Sequence, residues 1–86
     1  MKTEEFNKCL ELLRQGDLKG LEKIYNKYYY ASKQLALSHV KNEEKATEIV
    51  DAFFQNLQPI ACEIKEIKNP DIWIFEVIVA ICKSNY

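Results

Sequence analysis

Glycine and proline are scarce, with two of each in 86 residues. A β-sandwich or barrel needs turn chemistry at every strand end, and this chain has little of it. Histidine occurs once, at His39, and the three cysteines, Cys9, Cys62 and Cys82, stand far apart with no Cys-x-x-Cys pair. That speaks against zinc patterns and a disulfide framework, and fits buried thiols in a reducing, cytoplasmic setting. There is no glycine-rich phosphate loop, no nucleophile with a base at a useful spacing and no metal-ligand set. Neither enzymatic activity nor a cofactor or metal is therefore expected. No apolar run reaches the roughly 20 residues that cross a bilayer. Met1-Lys2-Thr3-Glu4-Glu5 leads straight into an amphipathic pattern rather than a secretory signal, and no membrane partner is expected.

An excess of charge of one sign is missing too. The formal net charge is −1, which is not the basicity of a typical nucleic-acid binder. The halves differ more. Residues 1–42 hold eight basic and five acidic side chains, net +3; residues 43–86 hold four and eight, net −4. The halves can attract each other, or face partners of opposite sign.

What is present in quantity is apolar surface at helical spacing. The stretch from Ile72 to Cys82 contains one charged residue, Glu76. Asn69-Pro70-Asp71 before it reads as a helix start: a side-chain cap, a proline suited to the first helical position and an acid for the positive end of the dipole. The β-branched content would also permit a buried strand, but the start signal favours a helix. A helix apolar on all sides must be covered on all sides. This stretch is then the central helix of a small all-helical domain, or partly an interface.

The rest of the chain supplies partners for it. Thr3 can cap a first helix carrying Phe6, Cys9, Leu10 and Leu13 on one face, with Gly16 as its stop. Asp17 can cap a second helix from Leu18 to Val40, with a stripe of Leu21, Ile24, Tyr25, Tyr28, Leu35 and His39. Gly20 lies near its start, where fraying makes a glycine cheap. Lys19, Lys23 and Lys27 recur every four residues; the row suits phosphate or an acidic protein, and equally a plain solvated face. Tyr25, Tyr28, Tyr29 and Tyr30 could stack on bases, although core plus a hydrogen-bonding rim is the ordinary use of such a cluster. His39 reads as a packing or rim residue. Asn42 caps a third helix with Ala46, Ile49, Val50, Phe53 and Leu57 inward. Glu44, Glu48 and Asp51 share another side, where they can dock a basic surface or simply face water. Pro59 opens a short fourth helix, with Ile60, Ile64 and Ile67 on its apolar side. These elements predict one domain, 1–86: an all-α bundle of three to five helices, with Trp73, Val77 and Ile81 packed on the second and third.

From Gln15 onward the chain resembles region 2 of bacterial sigma factors, most closely the extracytoplasmic-function branch. Gln15-Gly16-Asp17, Leu21, Ile24-Tyr25, Tyr28-Tyr29 and Ala36-Leu37 resemble the family's first long helix. Without a gap, Ala46-Thr47-Glu48-Ile49-Val50-Asp51-Ala52-Phe53-Phe54 resembles its Ala-Glu-Asp-Leu-Val-Gln-Glu-Thr-Phe block. Asn69-Pro70, Trp73-Ile74 and Val77 resemble its Pro-x-x-Trp-Leu-x-x-Ile segment.

The resemblance implies a helical domain whose third helix docks on the clamp helices of the RNA polymerase largest subunit, here through Glu44, Glu48, Asp51 and Phe54. It also implies contact of the connector and last helix with −10 promoter DNA, here through Lys65, Lys68, Asn69 and Lys83. The DNA-contacting part is partly degenerate. Glu76, Val79 and Ala80 stand where the family usually carries Arg and Asn, and Asp51 and Ala52 replace Gln and Glu in the polymerase block. The family's helix-turn-helix domain is not in this sequence, which leaves open a piece of a longer protein and a free-standing relic. Two functions remain in view. One is a sigma-like initiation domain that binds core polymerase and, weakly, promoter DNA. The other is a protein-interaction or regulatory module that keeps the fold, has lost DNA binding, and forms a homodimer through its apolar last helix.

Overall fold

Local signals in the chain set most of the helix boundaries in the computed structural model, which describes residues 1–85. Helix α1 spans Thr3–Arg14 and α2 Lys19–Val40. Helices α3, α4 and α5 span Glu43–Gln55, Leu57–Glu63 and Pro70–Asn85. No strand is present among the described residues. Helix α1 ends as a Schellman turn: Gly16 takes φ +81°, its N–H donates to the Leu13 carbonyl at 3.0 Å, and the Asp17 N–H donates to the Leu12 carbonyl at 2.8 Å. Asp17 Oδ1 then accepts from the Lys19 N–H at 2.9 Å. Asn42 Oδ1 accepts from the Lys45 N–H at 3.0 Å and Asn69 Oδ1 from the Ile72 N–H at 3.2 Å. These are the two side-chain caps expected for α3 and α5.

Helix α2 lies at the centre, packed against α1, α3 and α5, while α4 packs on α1 and α3. The Cα radius of gyration is 12.5 Å, against about 12 Å for a compact domain of this length. The core is built from Phe6, Leu10 and Leu13 of α1, Ile24 and Ala36 of α2, Val50 and Phe53 of α3, Leu57 of α4, and Ile74, Ile78 and Cys82 of α5. Aromatic rings join the layers. Phe6 meets Tyr28 edge-on at 6.1 Å, and Trp73 lies 6.2 Å from Phe6 and 6.0 Å from Phe53.

Four expectations are corrected. The fully buried face of α5 is Ile74, Ile78 and Cys82; Trp73, Val77 and Ile81 flank it half-buried, because α5 is covered on one side only. The rings that Trp73 touches belong to α1 and α3, not α2. Thr3 does not cap α1: its hydroxyl donates to the Lys68 carbonyl at 3.1 Å, and the helix includes it as first residue. Helix α4 begins at Leu57, two residues before Pro59. The proline still falls among the first N–H groups that have no partner inside a helix.

Gly20 is the fourth. It is buried where α2 crosses α1, and a Cβ built on it would sit 2.3 Å from the Cys9 carbonyl oxygen and 3.1 Å from Leu12 Cβ. The position is a close backbone approach, not a frayed end.

Segment 64–69 has no helix, and α1 holds it with polar side chains. Asn7 pairs with Ile67 both ways: its Nδ2 donates to the Ile67 carbonyl at 2.9 Å, and its Oδ1 accepts from the Ile67 N–H at 2.9 Å. Arg14 donates to the carbonyls of Ala61, Ile64 and Lys65 at 2.7, 2.7 and 2.6 Å. With Thr3 on Lys68, the three side chains satisfy backbone groups that no helix or sheet would satisfy.

Candidate functional site

Helix α3 gives one face to the core and another to solvent. Its residues Glu44, Glu48, Asp51 and Gln55 follow one another at spacings of four, three and four, which is a single stripe along a helix. The first half of the stripe borders an acidic cleft of about 460 Å³ formed by Glu43, Glu44, Thr47 and Glu48. The second half borders a smaller groove of about 220 Å³ between α2 and α3, lined by Leu21, Tyr25, Asp51, Phe54 and Gln55. The stripe therefore passes from carboxylates into an aromatic and aliphatic hollow. Tyr25 is 38% exposed there, stacked on Tyr29 at 4.6 Å and edge-on to Phe54 at 5.1 Å. Burial, then the neighbouring Tyr29 and Asp51, raise the pKa of the Tyr25 hydroxyl.

The expected polymerase-facing residues are thus brought together, with one change. Phe54 is only 4% exposed, held beneath Tyr25 and Tyr29, so it forms the floor of the groove rather than a projecting anchor. Tyr25 is the exposed apolar member and Leu21 is half-buried; both belong to the stripe that helical spacing assigns to the core face of α2. Tyr25 falls at the edge of that stripe, where spacing alone does not separate core from rim.

The expected DNA-facing residues are not brought together. Lys65, Lys68 and Asn69 are exposed on the connector and at the start of α5. Asn69 spends its side-chain oxygen on the α5 cap. Lys83 lies 13 residues beyond Pro70, about 20 Å further along the helix axis. Glu66 and Asp71 are exposed among the three connector residues. Asp71 also accepts from the Tyr28 hydroxyl at 2.5 Å, tying the start of α5 to α2.

The outer side of α5 carries an apolar groove of about 510 Å³, lined by Leu35 of α2 and by Ile72, Phe75, Glu76, Val79, Ala80 and Lys83. Ile72 is 54% exposed. Outside the grooves, Leu18 is 61% and Tyr30 75% exposed. Lys19, Lys23, Lys27 and His39 are exposed, so the lysine row borders water and His39 is a rim residue. Burial pushes the thiols of Cys9 and Cys82 up, which keeps them inert at neutral pH. Among the described residues no group of three or more His, Cys, Asp or Glu is placed to hold a metal ion, and no helix is long and apolar enough to cross a membrane. No family model matches the chain, and no curated protein and no solved structure matches it either.

Proposed function

We propose that this chain is a sigma region 2-like transcription initiation domain that docks on the clamp helices of core RNA polymerase through α3. The observation that carries this reading is the graded stripe on α3. Glu44, Glu48 and Asp51 provide the charge that steers a basic helical surface and fixes its register. The groove of Leu21, Tyr25 and Phe54 provides the apolar contact that supplies binding energy, with Tyr25 as an aromatic anchor of the kind that dominates interfaces. The same helix carries the block that resembles the polymerase-binding helix of the sigma family.

The promoter-binding half of the family role is weak in this reading. Three dispersed lysines among acids neutralise few phosphates, so counterion release is small. Affinity for single-stranded −10-like DNA then stays in the non-specific range of about 10⁻⁴ to 10⁻⁶ M. The apolar groove on α5, with Glu76 in it, favours the second reading, a protein-interaction module on the same fold without DNA binding.

Capture by purified core RNA polymerase, repeated with the clamp-helix fragment alone, tests the proposal. The wild-type chain is captured by both, and reversing Glu48 and Asp51 to Lys abolishes capture while helicity by circular dichroism is unchanged. Capture that persists with the same salt sensitivity would exclude the α3 face. Absence of wild-type capture would leave the interaction-module reading in its place.

A further inference from the structure

We propose that two copies of this chain pair through the outer faces of their α5 helices, antiparallel, about a two-fold axis passing between Val79 and Ala80. The pairing uses none of the residues of the α3 stripe and does not depend on the polymerase reading.

The occupant of the α5 groove follows from its charges. Ile72, Glu76, Val79 and Lys83 run along one line of the helix at spacings of four, three and four, with Phe75 on one flank and Ala80 on the other. The face therefore holds one acid and one base, seven residues or about two turns apart, and has no net charge. A partner of either sign gains little there. A second copy in the antiparallel sense gains at both ends, because the midpoint between positions 76 and 83 falls between Val79 and Ala80. A two-fold axis there sets Glu76 of each copy opposite Lys83 of the other. This is the self-complementarity of an isologous interface, in which residue i meets j and j meets i. A parallel pair would set Glu76 against Glu76 and Lys83 against Lys83.

The shape agrees. Ala80 is small and exposed at the axis, which lets two helices approach to about 8 Å. The groove has seven lining residues per copy, against roughly 20 to 30 a side in a standard stable interface. The pair is accordingly weak, with a dissociation constant between about 1 µM and 1 mM.

Sedimentation equilibrium of the full chain, up to about 1 mM, the weak end of that range, reads the pairing. Both charged residues are exposed, and circular dichroism checks that each variant is folded. The wild-type chain dimerises. Glu76→Lys alone and Lys83→Glu alone each weaken self-association at least about tenfold, since like charges then face each other at both ends. An equimolar mixture of the two variants pairs again, because every contact across the axis is then between opposite charges, and the double swap restores self-pairing. A wild-type chain that stays monomeric throughout the range overturns the proposal, including the case in which the groove binds a foreign helix instead. Dimerisation indifferent to Glu76→Lys overturns it by placing the interface elsewhere. Failure of the mixture to pair overturns the antiparallel arrangement.

Discussion

Replacing Gly20 by alanine sets two effects of opposite sign against each other. On helix propensity alone, alanine in an α-helix is favoured over glycine by about 1 kcal/mol, and the variant would be stabilised. The structure adds a collision. The new Cβ would lie 2.3 Å from the Cys9 carbonyl oxygen and 3.1 Å from the Cys9 carbonyl carbon. Both belong to α1 backbone, so no rotamer change relieves the contact. Helices α1 and α2 must separate by about 1 Å to reach ordinary contact distance, loosening the packing of Cys9, Leu13 and Ile24 across the crossing. Overpacking of this kind costs about 1–3 kcal/mol, and more where the obstacle cannot move. Against immovable backbone the cost is at the upper end of that range, about 3 kcal/mol, so the collision outweighs the propensity gain and leaves a net loss of about 2 kcal/mol. For a domain of this size that is a fall in melting temperature of about 8–16 °C. Thermal denaturation followed by circular dichroism decides the matter. A Gly20→Ala chain melting at or above the wild-type temperature would show that α1 and α2 do not cross this closely.

Two further outcomes follow from the polar contacts. Arg14→Met removes the donor to three carbonyls and should cost about 2–3 kcal/mol, the scale of charge-assisted hydrogen bonds. Hydrogen exchange should show the loss concentrated in α4 and segment 64–69, and Arg14→Lys should recover less than half of it, since one ammonium cannot span the sites of a guanidinium fork. The hydroxyl of Tyr28 is held protonated by burial first and then by its bond to Asp71, so its pKa is raised. The stability this contributes is complete below the ordinary tyrosine value of about 10. It is lost as pH rises through the higher folded value. Urea denaturation across that alkaline range should show a smaller pH dependence for Tyr28→Phe than for the wild-type chain.

The helices were legible in the sequence where a local signal decides them. Gly16, Asn42 and Asn69 act within a turn of their own position, and each does what its chemistry suggests. The features that stayed hidden depend on distant chain. Gly20 has the same composition signature as a frayed glycine, and only the crossing with Cys9 makes it obligatory. Asn7 and Arg14 lie on a helix face that reads as solvated, because their partners are backbone groups 47 to 60 residues away. The run from Ile72 to Cys82 suggested the central helix, yet α2 holds that place, with Ser32 fully buried in it. Hydrophobicity measures how much of a helix could be covered, and topology decides how much is. On α3 the stripe of Glu44, Glu48 and Asp51 was visible from spacing. The burial of Phe54 was not, since Phe53 and Phe54 both pack inward, one toward Trp73 and the other toward Tyr25 and Tyr29.

The stitching of α1 to segment 64–69 has a consequence during synthesis. Asn7 is made 60 residues before the backbone of Ile67 with which it pairs. At about 5–20 residues per second, α1 waits about 3–12 seconds for that partner. Through that interval its apolar face has only the neighbouring helices to lean on, and its polar face has water. The nascent chain is then most open to proteases and to chaperones at α1. Closure of α1 over segment 64–69 is thus timed by translation of that segment.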